Sequence, residues 1–168
     1  MSVKNNTEQG LEMGLSIREL QASDIVPLSG IEAEAFSMPW SARDFEELLR
    51  RDYSVCLVAE VDGKVAGCVE MTDICNEGAI NNVVVAKQYR GRGIAQRLVE
   101  EALRIGGIRG IKEFTLEVRV SNAAAIHIYE KAGFISEGIR PHFYERPVED
   151  AQIMWKRQHM PAKTSITT

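Results

Sequence analysis

The stretch that decides the fold is residues 83–95, Val-Val-Val-Ala-Lys-Gln-Tyr-Arg-Gly-Arg-Gly-Ile-Ala. Its three valines are apolar on both faces, which is typical of a strand covered on both sides of a sheet. Two glycines then predict a tight turn, and from Gly93 to about Ile105 apolar residues recur at the spacing of an amphipathic helix. A strand therefore leads through a glycine-rich turn into a helix, whose unpaired first N–H groups and dipole favour a bound phosphate.

The charge of this segment differs from that of the whole chain. The chain has 20 Lys and Arg against 24 Asp and Glu, a net charge of -4 that argues against general nucleic-acid binding. Between Glu77 and Glu100 there is no acidic residue, and the basic residues in that interval are Lys87, Arg90, Arg92 and Arg97. We interpret the segment as a local anion site. An ordinary strand-to-helix turn with a solvated charged face is the alternative.

Two common phosphate motifs do not fit this segment. A nucleoside-triphosphate loop needs a Gly-Lys pair followed by Ser or Thr, which is absent here. The dinucleotide fingerprint needs a third glycine at the position that Gln96 occupies.

Hydrophobic periodicity around this segment predicts a mixed sheet of strands covered by helices on both faces. The predicted strands are 15–20, 53–61, 64–73, 79–86, 113–120, 134–139 and 151–156, and the predicted helices are about 24–36, 42–51, 93–105 and 122–132. Asp62-Gly63 is a strong hairpin signal, and Gly106-Gly107 predicts the end of the third helix. We expect one domain over residues 15–157, with mobile tails at 1–14 and 158–168.

Composition points to a soluble protein of the cytoplasm. The N-terminus lacks the basic and apolar segments of a secretory signal, and no apolar run approaches the length of a membrane helix. Cys56, Cys68 and Cys75 have none of the usual zinc or redox spacings, so we interpret them as reduced, structural thiols. The three histidines form no visible ligand cluster, and we expect no metal.

A second segment, residues 113–134, carries polar residues suited to catalysis. Alternation places Thr115, Glu117 and Arg119 on one face of a predicted strand, which indicates a gap filled by water or ligand, or else an exposed strand face. Asn122 suits a helix cap, and Tyr129 follows it two turns later on the same side of the helix. The alternative for Tyr129 is a core anchor whose hydroxyl is tied to the backbone.

Arg90-Gly91-Arg92-Gly93-Ile94-Ala95 resembles the acyl-coenzyme A signature of the GNAT (Gcn5-related) N-acetyltransferases, Arg/Gln-x-x-Gly-x-Gly/Ala. The resemblance implies the GNAT fold, a mostly antiparallel sheet of six to seven strands with helices on both faces. It also implies acetyl-CoA as cosubstrate, with its pantetheine arm beside the strand before the signature and its pyrophosphate on the turn. The residues implied to bind it are Val83, Val84, Val85, Arg90, Gly91, Arg92, Gly93, Ile94, Ala95 and Gln96.

Further along, Leu116-Glu117-Val118-Arg119, Ser121 to Ala125 and Tyr129 to Phe134 resemble bacterial ribosomal-protein-alanine N-acetyltransferases, as does Met38-Pro39-Trp40-Ser41. That resemblance implies Glu117 as general base, Tyr129 as general acid and Asn122 as a coenzyme A contact. It also implies that the acceptor is the N-terminal amine, with alanine first, of a protein such as a small-subunit ribosomal protein. The chain departs from the family in its N-terminal extension and in Ala95, where many members have glycine.

The acceptor is the least determined part of the prediction. We expect the segments 35–40 and 140–146 to be acceptor loops, with Phe36, Trp40, Phe143 and Tyr144 walling a narrow opening. The alternatives are a GNAT enzyme for a small-molecule amine and a non-catalytic acetyl-CoA-binding module. We expect no nucleic-acid or membrane partner, and a monomer.

Overall fold

The computed structural model describes residues 14–158, so the two predicted tails lie almost entirely outside the described residues. Seven strands and four α-helices form this part of the chain. The strands are β1 (Leu15–Glu19), β2 (Ser54–Val61), β3 (Lys64–Ile74), β4 (Glu77–Val85), β5 (Glu113–Arg119), β6 (Ile135–Glu145) and β7 (Val148–Arg157). The helices are α1 (Ile25–Ala35), α2 (Ala42–Leu48), α3 (Ile94–Ile108) and α4 (Ala123–Lys131). Within this range no helix has the length and apolarity needed to cross a membrane.

One sheet in the order β1-β2-β3-β4-β5-β7-β6 forms the centre of the protein. Neighbouring strands are antiparallel except β4 and β5, which are parallel. Side chains alternate along β2: Val55 and Leu57 pack with α3, whereas Cys56 and Val58 pack with α1 and α2. The predicted mixed, mostly antiparallel sheet with helices on both faces is confirmed.

Helix α3 continues through the glycine pair that was predicted to end it. Gly106 is buried, and a Cβ there would lie 2.6 Å from Cε1 of Phe114, so the glycine lets the helix approach β5 closely. The helix ends instead before Gly110, whose φ of +91° is the left-handed conformation that glycine adopts readily. The N–H of Ile111 donates to the carbonyl of Gly106 at 2.9 Å, which closes a Schellman motif.

The segment 140–146, predicted to be a loop, belongs mostly to strand β6. Strands β6 and β7 form a long hairpin whose pairing extends to Glu145 opposite Val148. A register irregularity between Arg140 and Tyr144 contains Pro141 and His142, and it interrupts the alternation that identifies a strand. Helix α2 also ends earlier than predicted, at Leu48.

The three cysteines are free thiols, as expected. Cys56 and Cys68 lie buried on neighbouring strands, and Cys75 is exposed in the turn after β3. A hydrogen bond with Cys56, followed by burial, raises the pKa of Cys68 well above that of a free thiol, which keeps this sulfur protonated and unreactive.

Candidate active site

Strands β4 and β5 pair at one end and separate at the other. Their parallel pairing begins with Glu77 opposite Glu113 and stops with Ile80 opposite Leu116. At that point β4 carries a bulge, because Asn81 is an extra residue against β3. Beyond it, β4 pairs with no strand other than β3 within residues 14–158, so the backbone edge of residues 83–85 that faces β5 has N–H and C=O groups outside any strand pairing, of which the Val85 carbonyl accepts from Arg90.

The glycine-rich turn follows directly from this free edge. Gly91 and Gly93 have φ values of +75° and +77°, and an added Cβ at either would meet no atom within 4 Å. Backbone conformation rather than space therefore selects glycine at both positions. Gly93 is the N-cap of α3 and no side chain caps the helix, so its first N–H groups remain available to an anion.

The polar side chains around the turn differ in whether their N–H groups already have a hydrogen-bond partner. The Nε of Arg90 donates to the carbonyl of Val85 at 3.0 Å, so Arg90 fastens the turn to the end of β4. The Gln96 side chain donates to Glu100 at 2.9 Å. Arg92 is exposed with its guanidinium 5.6 Å from the ring centre of Tyr89, and none of its N–H groups is paired within residues 14–158.

Glu117 lies on the half-buried face of β5, just past the last β4 pair. The predicted alternation is confirmed, since Phe114, Leu116 and Val118 are buried and the intervening residues are not. One carboxylate oxygen of Glu117 is 3.3 Å from Nη1 of Arg140 on β6. The sequence analysis placed Arg140 within a predicted loop. The bulge on β6 interrupts the alternation of side chains along that strand, so no pattern indicated that Arg140 would face Glu117 on β5.

Tyr129 is almost completely buried on α4, where its ring packs edge-on against Phe134 with centres 6.0 Å apart. Its hydroxyl makes no hydrogen bond within residues 14–158, so it is not tied to the backbone as a simple core anchor would be. Burial first, and then Tyr144, raises the pKa of Tyr129 to about 12. The hydroxyl is therefore a proton donor throughout the neutral range.

Asn122 caps α4, as predicted. Its Oδ1 accepts from the N–H of Ala125 at 3.1 Å. This bond fixes the start of the helix that carries Tyr129, beside the open end of β5.

Tyr144 connects the two proposed catalytic groups. Its pKa is raised by burial and then by the nearby Glu117 carboxylate, and Tyr144 in turn raises the pKa of Tyr129. Glu117, Tyr144 and Tyr129 therefore share one electrostatic environment, although they lie on β5, β6 and α4.

Arg119 holds Tyr144 in place, a role that its position on β5 did not reveal. Its guanidinium lies 4.3 Å from the ring centre of Tyr144 and 3.3 Å from a Glu149 oxygen. It also donates to the carbonyls of Arg146 and Pro147 at 3.2 and 2.9 Å, which fastens the β6–β7 turn to the end of β5.

One hydrogen bond joins the two segments that were predicted to form the acceptor opening. The hydroxyl of Ser37, between α1 and α2, donates to the carbonyl of Arg146 and so joins the α1–α2 loop to the β6–β7 turn. Phe36 and Phe143 are partly exposed. Trp40 is turned toward α2, where its ring lies 5.6 Å from that of Phe45.

An open depression of about 700 Å³ lies between β1, β2, the β2–β3 turn with the start of β3, and the start of α1, and Gln88 and Tyr89 after β4 also line it. Arg18 within it is paired with Asp24 at 2.7 Å and with Glu60 at 2.9 Å. Because Arg18 is already paired with two carboxylates, and none of the residues predicted to act in catalysis lines this depression, the gap between β4 and β5 is the better candidate site.

Similarity to known proteins shows the family of the chain. Residues 25–134 match the Acetyltransferase (GNAT) family. A Bacillus subtilis (strain 168) protein provisionally named ribosomal protein bS18-alanine N-acetyltransferase is 35% identical over 141 residues, covering 83% of this chain and 93% of that protein. The ribosomal protein bS18-alanine N-acetyltransferase of Escherichia coli (strain K12) is 32% identical, covering 83% and 95%.

The crystal structure of the ribosomal-protein-S18-alanine N-acetyltransferase from Escherichia coli superposes with a TM-score of 0.80 at 30% identity, covering 89% of this chain and 97% of that one. Both the sequence match and the fold extend over nearly the whole described domain. The chain therefore belongs to the GNAT family and is an N-acetyltransferase.

Proposed function

We propose that this enzyme transfers an acetyl group from acetyl-CoA to the N-terminal α-amine of a protein, with alanine as the preferred first residue and a small-subunit ribosomal protein as the target. The observation that carries the proposal is the position of Glu117 on β5, just past the last residue that pairs with β4, with a carboxylate that acts on the pKa of Tyr144 as Tyr144 acts on that of the buried Tyr129. The names of the two sequence relatives support the acceptor.

The residues at the gap fit acetyl-CoA. The free edge of 83–85 can pair with the amide groups of the pantetheine arm, and the uncapped N–H groups of 91–96 can receive the pyrophosphate. Arg92 has unpaired donors for a phosphate oxygen, and Asn122 stands at the start of α4 on the far side of the gap. When bound, acetyl-CoA supplies the acetyl group as an activated thioester.

Each protein group then has one task. Glu117 accepts the proton of the attacking amine, directly or through one water. Backbone N–H groups at 83–85 polarise the thioester carbonyl. Tyr129 serves as the acid by donating a hydrogen bond from its hydroxyl to the leaving sulfur. The proposal uses no metal and no covalent enzyme intermediate. When the amine binds, Arg140 must give up part of its contact with the Glu117 carboxylate.

An α-amine suits this chemistry better than a lysine side chain. Its pKa is about 7.7–8.0, against about 10.4 for lysine, so roughly a quarter of α-amines but only about a thousandth of lysines are free bases near neutral pH. A single carboxylate would have to overcome that gap of about 2.5 units, roughly 3.5 kcal/mol, to acetylate lysine.

Competition between two peptides tests the acceptor. One has a free N-terminal alanine and no lysine, and the other has a blocked N-terminus and an internal lysine. We expect the first peptide to be acetylated, and the mass of each intact peptide measures this. Preferential acetylation of the blocked peptide would overturn the assignment. Failure of both, with thiol release in the presence of small amines, would favour a small-molecule acceptor.

A cytoplasmic location and a monomeric state are part of the proposal. The two relatives named above are bacterial proteins whose names specify a ribosomal protein as the target, and bacterial ribosomes lie in the cytoplasm. Loss of N-terminal acetylation on ribosomal proteins of cells lacking this enzyme, measured by intact mass, would identify the target directly.

A further inference from the structure

Glu32 is a fully buried carboxylate that bonds to two separate parts of the acceptor side of the molecule. It lies on α1 and has no exposed surface. One of its oxygens accepts from the Asn82 side chain at 2.6 Å, and the other accepts from the backbone N–H of Trp40 at 3.1 Å. Asn82 follows the bulge on β4, and Trp40 ends the loop between α1 and α2.

No cation pairs with this carboxylate among residues 14–158. Its charge is met only by two N–H dipoles, and burial is the main reason that the pKa of Glu32 is raised. A buried carboxyl group without a counter-ion is weak evidence for stability, because apolar side chains of similar volume often serve a core equally well. The group is better explained by what its two bonds hold together.

Those bonds form a continuous connection across the acceptor opening. Asn82 directly precedes the β4 residues whose free backbone edge faces the reaction. Trp40 is three residues beyond Ser37, which bonds to the β6–β7 turn at Arg146. The α1–α2 loop is thus fixed to the reacting strand through Glu32 and to the β6–β7 turn, near Tyr144 at the end of β6, through Ser37.

We infer that Glu32 is a positioning residue, which fixes the α1–α2 loop to strand β4 so that the acceptor amine approaches the β4 edge from one direction. The inference rests on the proposed function for its account of the acceptor. It predicts that breaking both bonds impairs use of the peptide and leaves binding of acetyl-CoA unchanged.

The disruptive variant is Glu32→Met combined with Asn82→Leu. Replacing both partners of a buried hydrogen bond by apolar groups of similar size is close to neutral for stability, so this variant should fold. The conservative variant is Glu32→Gln, which keeps both bonds if the Asn82 amide rotates by half a turn. The NH₂ group of the new side chain then donates to the Asn82 oxygen, and its oxygen still accepts from the N–H of Trp40.

A matched control exists at the same bulge. Glu70 is a second buried carboxylate, and it accepts from the side chains of Asn81 and Thr72 at 2.9 and 3.2 Å. It does not bond to the α1–α2 loop. The pair Glu70→Met and Asn81→Leu therefore removes a buried carboxylate and its amide partner, which is exposed, without releasing that loop.

Two readouts are measured for each variant. The first is the KM for an N-terminal alanine peptide, with the Kd for acetyl-CoA measured by calorimetry. The second is acrylamide quenching of Trp40 fluorescence in a Trp155→Phe background, which is specific because the chain has two tryptophans. We expect the disruptive variant to raise the peptide KM about tenfold, as expected for two lost hydrogen bonds, and to increase quenching. Glu32→Gln and the control pair should match the parent protein.

The outcomes separate this inference from the proposed function. Unchanged quenching and unchanged peptide KM in the disruptive variant overturn the positioning role. An equal rise in KM in the control pair also overturns it, because general destabilisation then explains the effect. If the parent protein acetylates no peptide but quenching still rises only in the disruptive variant, the proposed acceptor is wrong and the loop connection stands.

Discussion

Removal of the Tyr129 hydroxyl should slow acetyl transfer by a limited and calculable factor. The pKa of Tyr129 is about 12, whereas that of a free thiol is about 8.5. Complete transfer of the phenol proton to a thiolate of ordinary basicity is therefore uphill by about 3 to 4 pKa units, or about 5 kcal/mol. The hydroxyl is thus expected to stabilise the leaving sulfur mainly as a hydrogen-bond donor.

A hydrogen bond to a charged group contributes about 1.5–3 kcal/mol, which corresponds to a factor of about 10 to 150 in rate. Tyr129→Phe retains the ring that packs against Phe134, and the hydroxyl it removes has no hydrogen bond within residues 14–158. Stability should therefore not fall. Tyr53→Phe, at an exposed ring, is the matched control.

The assay is thiol release with an N-terminal alanine peptide at saturating acetyl-CoA, at a pH where chemistry limits the rate. We expect kcat to fall within the stated range and the Kd for acetyl-CoA to stay the same. A kcat within twofold of the parent value would make Tyr129 a core anchor only. A loss far above a thousandfold in a folded variant would refute the hydrogen-bond argument and indicate complete proton transfer.

Three further predictions follow from the site. Glu117→Gln should lower turnover by about 10²–10⁴-fold with little change in acetyl-CoA affinity. Glu113→Gln, at the other end of β5, should leave turnover unchanged. Equal rates in both variants would remove Glu117 from the mechanism. Arg92→Gln should weaken acetyl-CoA binding about tenfold and reduce its salt dependence, and an unchanged Kd would place the phosphates elsewhere. Because the folded pKa of Tyr129 lies above its unfolded value, its contribution to stability is complete below pH 10 and should be lost as pH rises through about 12. This loss should be absent from alkaline unfolding curves of Tyr129→Phe, and identical curves would contradict the raised pKa.

Much of the fold was predictable because its signals are local. The alternation of β5, the Asp62-Gly63 hairpin and the cap at Asn122 depend on residues within one turn or strand. The strand, turn and helix of 83–95 are equally local, since left-handed glycines and an uncapped helix start are set by backbone conformation. The predicted ends of elements were wrong where they depend on distant contacts. Helix α3, for example, continues past its predicted end because Gly106 fits against Phe114.

The sequence by itself determined the fold class, the glycine-rich turn before α3 and the positions of Glu117 and Tyr129, because periodicity and backbone preference are properties of short segments. Only the tertiary structure decided what surrounds those groups. The Arg140 contact with Glu117, the Arg119 hold on Tyr144 and the Glu32 bond to Asn82 each join residues 20 or more positions apart. No local pattern encodes such pairs, because they form only when the sheet brings separate strands and helices together.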